Sequence, residues 1–351
     1  MTRLLVLGGS DFVGRAVVDD ALARGWDVTV LNRGTAPVPD GVRQLVGDRT
    51  RPDGLDALLA DDVPQKWDVV VDTWSWAPAA ARDAARLLAG RVPGDDRYVY
   101  VSSRSVYPFP RPRGADETSE LVDGDPDDTT SDDYARAKRG AEIAVTDALG
   151  DRAILLRAGL ILGPRENVGR LPWWLRRVAR GGPVLAPGPA DLPLQYVDAR
   201  DLAAFALDVA LAGASGPADV VSAPRHTTMG ELLAACVEAT ADDAAAADDP
   251  PAELVWVEPE AVLAAGIEPW TQLPVWLPPG ELHDALHGSD TSRAAALGLR
   301  TRDVRETVRD TWAWLRALDA TGETTPQRAD RPAVGLPPDL EAAALRAAGR
   351  G

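Results

Sequence analysis

The stretch Arg3-Leu4-Leu5-Val6-Leu7-Gly8-Gly9-Ser10-Asp11-Phe12-Val13-Gly14 decides the fold. Its aliphatic opening reads as a short buried strand, the glycines permit a tight turn, and Val13–Arg24 carries a helical pattern. A strand that turns through glycines straight into a helix offers free N–H groups and the positive end of the helix dipole, which suits a pyrophosphate. A plain tight turn would not need glycine at both ends of the loop. Working outward, Asp27–Leu31, Arg43–Val46, Trp67–Asp72, Arg97–Ser102 and Arg152–Arg157 read as further strands. Gly54–Ala60, Ala79–Ala89 and Tyr134–Ala148 read as helical segments between them. Alternating strands and helices with continuously apolar strands predict an α/β chain built on a doubly wound parallel sheet, covered on both faces. Its ligand crevice then lies beyond the carboxyl ends of the strands.

Past Arg157 the pattern is less regular and richer in Gly, Pro and Trp. Leu171–Arg180, Asp201–Leu211, Thr228–Glu238, Pro259–Ala265 and Val304–Leu318 read as helices, Ala218–Ser222 and Leu254–Val257 as strands. Thr240–Pro251, dense in Ala, Asp and Pro, reads as a solvated loop, and the chain from Thr321 onward as a loosely held tail. The expected organisation is a dinucleotide-binding core over 1–165, a smaller mixed substrate lobe with returning core elements over 166–320, and the tail over 321–351.

The composition narrows the partners. The 351 residues carry 37 Lys+Arg against 54 Asp+Glu, a formal charge of -17, so phosphate backbones and anionic membrane surfaces are repelled and neither nucleic acid nor membrane is expected. The longest apolar runs are strand-sized, far below the ~20 residues of a membrane span. The opening residues enter a strand pattern with no basic region and long apolar stretch before it, and the single cysteine, Cys236, forms no internal disulfide; a reducing cytoplasm is the expected compartment. Cys236 sits in an Ala/Leu-rich helical pattern and reads as a buried small hydrophobe. The lysines are Lys66 and Lys138, every other basic residue being arginine, so a site that needs a compact ammonium stands out.

Tyr134-Ala135-Arg136-Ala137-Lys138 opens a predicted helix and puts a phenol and an ammonium on one face at i, i+4. A free phenol has a pKa near ~10, and a neighbouring ammonium favours the phenolate. Upstream, the fifth strand ends in Ser102-Ser103, where a hydroxyl points into the crevice and can bond a substrate oxygen. Asp125–Asp133, an acidic run ahead of Tyr134, reads as a solvated loop whose last residues cap that helix.

These motifs, in this order, resemble the extended short-chain dehydrogenase/reductase superfamily, specifically the NAD-dependent epimerase/dehydratase family. Gly8 and Gly14 match its Gly-x-x-Gly-x-x-Gly fingerprint, with Asp11 in place of the middle glycine. Ser102–Tyr107, Leu156–Pro164, Tyr196–Ala203 and Asp290–Leu299 are similar to further family segments, so the likeness covers nearly the whole chain up to about Leu318. The resemblance implies a Rossmann fold and hydride transfer between a nicotinamide coenzyme and a carbon bearing an alcohol or carbonyl. It assigns Tyr134 as acid/base, Ser103 as the catalytic serine and Lys138 as the ribose-binding partner of Tyr134. It assigns the loop Gly8, Gly9, Ser10, Asp11, Phe12, Val13 and Gly14 to the coenzyme, with Asn32 and Arg33 at the end of the second strand and Asp48 and Arg49 after the third. An acid usually accepts the NAD ribose hydroxyls where Asn32-Arg33 stands; its absence favours the 2′-phosphate of NADP. Asp11 opposes that phosphate, so NAD and NADP stay open with a lean to NADP. The family's sugar dehydratases carry Asp-Glu where this chain has Arg104-Ser105, which argues against dehydration and leaves reduction or epimerisation of a small-molecule substrate, a sugar-nucleotide or other hydroxyl/carbonyl compound. The superfamily often dimerises through the helix carrying the tyrosine, so a homodimer is expected. The competing reading is a non-catalytic descendant that senses nucleotides or binds RNA or protein; it predicts loss of the Tyr/Lys pair and a basic face.

Several features are weighed and set aside. Trp173, Trp174, Trp270 and Trp276 read as core before substrate platform. Arg165, Arg170, Arg176 and Arg177 read as a solvated helix face before a diphosphate clamp. His283 and His287, at i, i+4, lack a matching third ligand and read as surface residues, so no metal is expected.

Overall fold

The computed structural model describes residues 1–94, 96–130, 132–246, 250–328, 331–347 and 349. In chain order its elements begin β1 (Arg3–Leu7), α1 (Phe12–Ala23), β2 (Asp27–Asn32), β3 (Arg43–Val46), β4 (Val69–Asp72), α2 (Pro78–Leu88), β5 (Arg97–Ser103), α3 (Tyr134–Leu149) and β6 (Ala153–Ala158). They continue with β7 (Ile161–Leu162), α4 (Arg170–Ala179), β8 (Gly182–Pro187), β9 (Pro193–Leu194), β10 (Val197–Asp198), α5 (Ala199–Leu211), β11 (Gly216–Val220) and β12 (Thr227–Thr228). Last come α6 (Met229–Ala246), β13 (Ala252–Val257), α7 (Pro259–Ala264), α8 (Glu281–His287), α9 (Ser292–Ala296), α10 (Val304–Thr321) and α11 (Pro338–Ala347). Among the described residues no helix is long and apolar enough to cross a membrane.

Two compact units divide the chain: Met1–Gly159, Ala199–Val221 and Asp290–Arg300 form one, and Leu160–Asp198, Ser222–Ser289 and Thr301–Gly351 the other. The first is the doubly wound sheet read from the sequence. Seven parallel strands run in the order β11-β6-β5-β4-β1-β2-β3, with β1 flanked by β2 and β4. The chain winds from β1 outward to β3, then returns to β4 on the other side, so the carboxyl ends of β1 and β4 flank the switch point where such sheets bind ligands. Val69, Val70 and Val71 are all buried, as a strand covered on both faces requires. α2 packs on α3 and α1 on α5. Leu5, Leu7, Leu31, Trp67, Tyr98 and Val145 belong to one core layer of this unit.

The second unit has its own core, built on Trp174, Trp276, Leu175, Leu232 and Leu233. Trp174 and Trp276 are fully buried, and their indole N–H groups donate to the carbonyls of Pro274 (2.7 Å) and Gly188 (3.0 Å). They are core residues; Trp173 and Trp270 pack partly buried against the same core.

Five readings from the sequence differ. The loop expected over Thr240–Pro251 begins as helix: α6 runs to Ala246, consistent with alanine being the best helix former, while 247–249 lie outside the described residues. Gly54–Ala60 forms only a single 3₁₀ turn, Asp56–Leu59. The segment read as a loose tail carries α11, with Glu341, Ala344 and Leu345 buried, and Arg177 Nε donates to Glu341 Oε2 at 2.6 Å. Arg177 is therefore a buried ion-pair partner rather than a solvated residue, whereas Arg176 pairs with Asp319 at 2.5 Å. The two histidines are buried rather than exposed: α8 turns both inward one helical turn apart, His283 Nε2 meets the Pro193 carbonyl at 2.8 Å, and Gln195 N–H donates to His287 Nδ1 at 2.9 Å.

Candidate active site

The glycine turn leaves β1 at the switch point. Gly8 (φ +124°) and Gly9 (φ +86°) hold backbone angles that side chains rarely adopt, and a Cβ on Gly8 would fall 2.2 Å from Thr73 Oγ1. Gly14 serves a different need. A Cβ there would lie 2.6 Å from Gly9 N, so only glycine lets α1 close onto the turn. Asp11 caps α1, its carboxylate accepting the Phe12 N–H at 2.9 Å. Phe12 itself sits at φ +35°.

The end of β2 lies beside this turn, Gly8 N–H donating to the Leu31 carbonyl at 2.9 Å. Asn32 Oδ1 accepts from Gly34 N and from Gln44 Nε2, both at 2.9 Å, while Asn32 Nδ2 is buried with no hydrogen-bond partner. Arg33 is exposed next to it. Gly47 N–H donates to the Asn32 carbonyl at 2.8 Å, which brings Asp48 to the same end of the sheet. The Asp48 carboxylate accepts Thr50 Oγ1 (2.7 Å) and Thr50 N (3.0 Å), and these bonds hold its pKa below the ordinary carboxylate value. Arg49 is committed elsewhere. Its terminal nitrogens grip Asp72 at 2.7 and 2.9 Å, and the guanidinium lies 4.8 Å from the Trp74 ring centre. The expected coenzyme contact at Arg49 thus stands in a buried ion pair that ties the β3 loop to β4.

α3 begins at Tyr134, with Asp133 as its cap accepting Arg136 N–H at 3.0 Å, as the acidic run foreshadowed; Ser131 of that run lies outside the described residues. Tyr134 is half-buried and acts electrostatically on Tyr100, whose phenol burial and the nearby Asp72 push far above its ordinary pKa. Lys138, one turn on, is buried. Its ammonium donates to the carbonyls of Trp74 (2.6 Å) and Val101 (2.7 Å) and sits 4.7 Å from the Tyr100 ring centre. That anchors it at the carboxyl ends of β4 and β5, two residues short of Ser103. Ser103 caps the short turn that follows β5, its hydroxyl accepting Ser105 N–H at 3.1 Å. Tyr107 is buried, its hydroxyl donating to Asp219 and accepting from Arg157.

Sequence reasoning missed one group of residues altogether. Glu142 is fully buried on α3; it accepts Ser102 Oγ–H at 2.7 Å and both Nε and Nη2 of Arg157 at 2.9 Å. Ser102, read as a strand-end filler, is therefore a link between β5 and α3. Two signals were present: Glu142 follows Tyr134 and Lys138 at i+8 and i+4, and Arg157 interrupts the otherwise apolar strand Ala153–Ala158.

Residues 4–222 match the model of the NAD dependent epimerase/dehydratase family. The chain belongs to this family. Among its relatives is 2′-dehydrokanamycin reductase of Streptomyces kanamyceticus, 33% identical over 207 residues, a match covering 56% of this chain and 55% of that protein. The chain thus spans about half the length of that relative. Two solved structures share the fold of this epimerase/dehydratase chain. Bordetella bronchiseptica WbmH in complex with NAD+ superposes with a TM-score of 0.62 at 19% identity, covering 90% of this chain and 98% of that one. The UDP-glucose 4-epimerase of Thermus thermophilus, complexed with NAD, gives 0.60 at 20% identity, covering 90% and 99%. The residues fit the family's coenzyme: the buried Asn32 Nδ2, which has no hydrogen-bond partner, is a donor suited to a ribose oxygen, and the glycine turn brings the N-terminus of α1 to the carboxyl end of β1, where a diphosphate is favoured.

Proposed function

We propose that the chain is an NAD(P)-dependent oxidoreductase or epimerase of the short-chain dehydrogenase/reductase superfamily, acting on a hydroxyl- or carbonyl-bearing carbon of a small substrate such as a sugar ring. The observation that carries this reading is the buried Lys138 ammonium, fixed at the carboxyl ends of β4 and β5 one helical turn from Tyr134. When bound, the coenzyme supplies or accepts hydride at the substrate carbon. Tyr134 gives the oxygen its proton in reduction and takes it in oxidation, and Ser103 Oγ holds that oxygen. Lys138, one helical turn on from Tyr134, holds the ribose and favours the phenolate. Gly8, Gly9, Ser10, Asp11, Phe12, Val13 and Gly14 line the coenzyme, with Asp48 toward its adenine. Arg33 and the missing acid at the end of β2 support NADP. A carbonyl substrate is consistent with the reductase among the relatives.

The test is Tyr134→Phe, assayed with NADH and NADPH against a panel of keto-sugars and sugar nucleotides. Turnover should fall by about 10²–10⁴-fold, the usual worth of a positioned acid/base, with coenzyme affinity kept. Undiminished turnover in the variant, or a native chain that binds no nicotinamide nucleotide, defeats the proposal.

A further inference from the structure

Asp11 puts a carboxylate at the tip of α1, inside the glycine turn that the proposed function gives to the coenzyme. The backbone there is extended (φ -138°, ψ 150°), and the exposed side chain folds over the tip of α1 to take the Phe12 N–H. Everything else in the turn favours an anion: two glycines with positive φ, a third that lets the helix close, and the positive end of a twelve-residue helix. Asp11 occupies one of the N–H donors at that end and adds a negative charge beside it, so it opposes the same diphosphate the turn is shaped to receive.

The two candidate reactions make different demands on coenzyme release. Epimerisation takes hydride from a carbon and returns it to that carbon, so the coenzyme ends as it began and need never leave. Reduction moves a hydride from the reduced coenzyme to the carbonyl carbon, while Tyr134 supplies the proton to oxygen and recovers one from solvent. The C=O π bond becomes C–H and O–H, the substrate is reduced and the coenzyme oxidised, so each cycle must release the spent coenzyme and admit a fresh one. We infer that Asp11 is a specificity residue that keeps nicotinamide coenzyme loosely held and exchangeable, which makes this chain a reductase using free coenzyme as co-substrate rather than an epimerase that retains it. This inference rests on the function proposed above.

The experiment measures NADH and NADPH dissociation constants by fluorescence on the full chain, for the native protein, Asp11→Asn and Asp11→Gly. Asparagine still caps the helix and removes only the charge. The native protein should leave gel filtration without coenzyme, and both variants should bind at least ~10-fold more tightly, equivalent to about 1.4 kcal/mol. The gap between Asp11→Asn and the native protein should narrow in ~1 M salt, where screening falls to about 3 Å. Native protein carrying one coenzyme per chain through gel filtration, or Asp11→Asn binding within twofold of native, overturns the inference while leaving the proposed function standing. Absence of binding in all three proteins at millimolar coenzyme overturns both.

Discussion

Glu142→Ala tests whether the buried network on α3 holds the site together. The substitution removes the acceptor of four hydrogen bonds, from Ser102 Oγ at 2.7 Å, from two nitrogens of Arg157 at 2.9 Å and from Arg139 Nη1 at 3.4 Å. Arg157, itself buried, keeps the Tyr107 hydroxyl at 2.9 Å and a long contact to the Glu117 carbonyl at 3.4 Å. Stranding a buried charge in this way costs about 3–5 kcal/mol. Since a domain is stable by only ~5–15 kcal/mol, the loss is about a fifth of the total or more. Replacing both partners, Glu142→Met with Arg157→Met, leaves no buried charge and should recover much of it. Urea denaturation of Glu142→Met, Arg157→Met and the double variant measures the coupling. A Glu142→Ala loss under about 1 kcal/mol, or singles that simply add, would refute the claim that this carboxylate fastens α3 to β5.

Gly14→Ala forces a Cβ to within 2.6 Å of Gly9 N and 3.0 Å of its Cα, backbone that cannot yield, so it should lower stability by about 1–3 kcal/mol and weaken coenzyme binding; denaturation and coenzyme titration check both. Thr50→Val removes the hydroxyl that holds the Asp48 pKa down. With the folded value below the unfolded ~3.9, the bond stabilises the fold above that pH and the contribution is lost as pH falls through the folded value. An NMR titration of the Asp48 carboxyl should show it rise in the variant. Glu341→Ala leaves Arg177 buried without its carboxylate and Leu185 N–H without its 3.1 Å acceptor, so α11 should loosen; faster amide hydrogen exchange at Leu185 is the expected sign.

The doubly wound sheet was legible because its signals are local. The strands β1, β2, β4, β5 and β6 are built on short apolar runs, and the boundaries from β1 to β6 fall within two residues of those read from the sequence. The misses share a cause too. α11 and the end of α6 lie in segments whose composition is dominated by Ala, Pro and charge, and composition reports solubility more readily than packing. Glu341 looks like a tail residue until Arg177, far upstream, is seen to bury it. The inward turn of His283 and His287 likewise depends on Pro193 and Gln195, which no spacing along α8 reveals.

The site divides along the same line. Glycines that must be glycine announce themselves, since their reason is local backbone geometry. The partners that commit Arg49 and Arg157 lie across the sheet, at Asp72 and Glu142, and a motif scan along the chain has no access to them. Lys138 is the instructive exception, a residue whose tertiary role leaves a mark on composition. Its ammonium fits between the carbonyls of Trp74 and Val101 while lying over the Tyr100 ring, a pocket for a compact cation with donors pointing in separate directions. A guanidinium is a planar fork with its donors in one plane, suited to a flat carboxylate like that of Asp72 and ill suited to one carbonyl from β5 and another from the loop after β4. In a chain that uses arginine almost everywhere, this geometry supplies a physical reason for the lysine at 138.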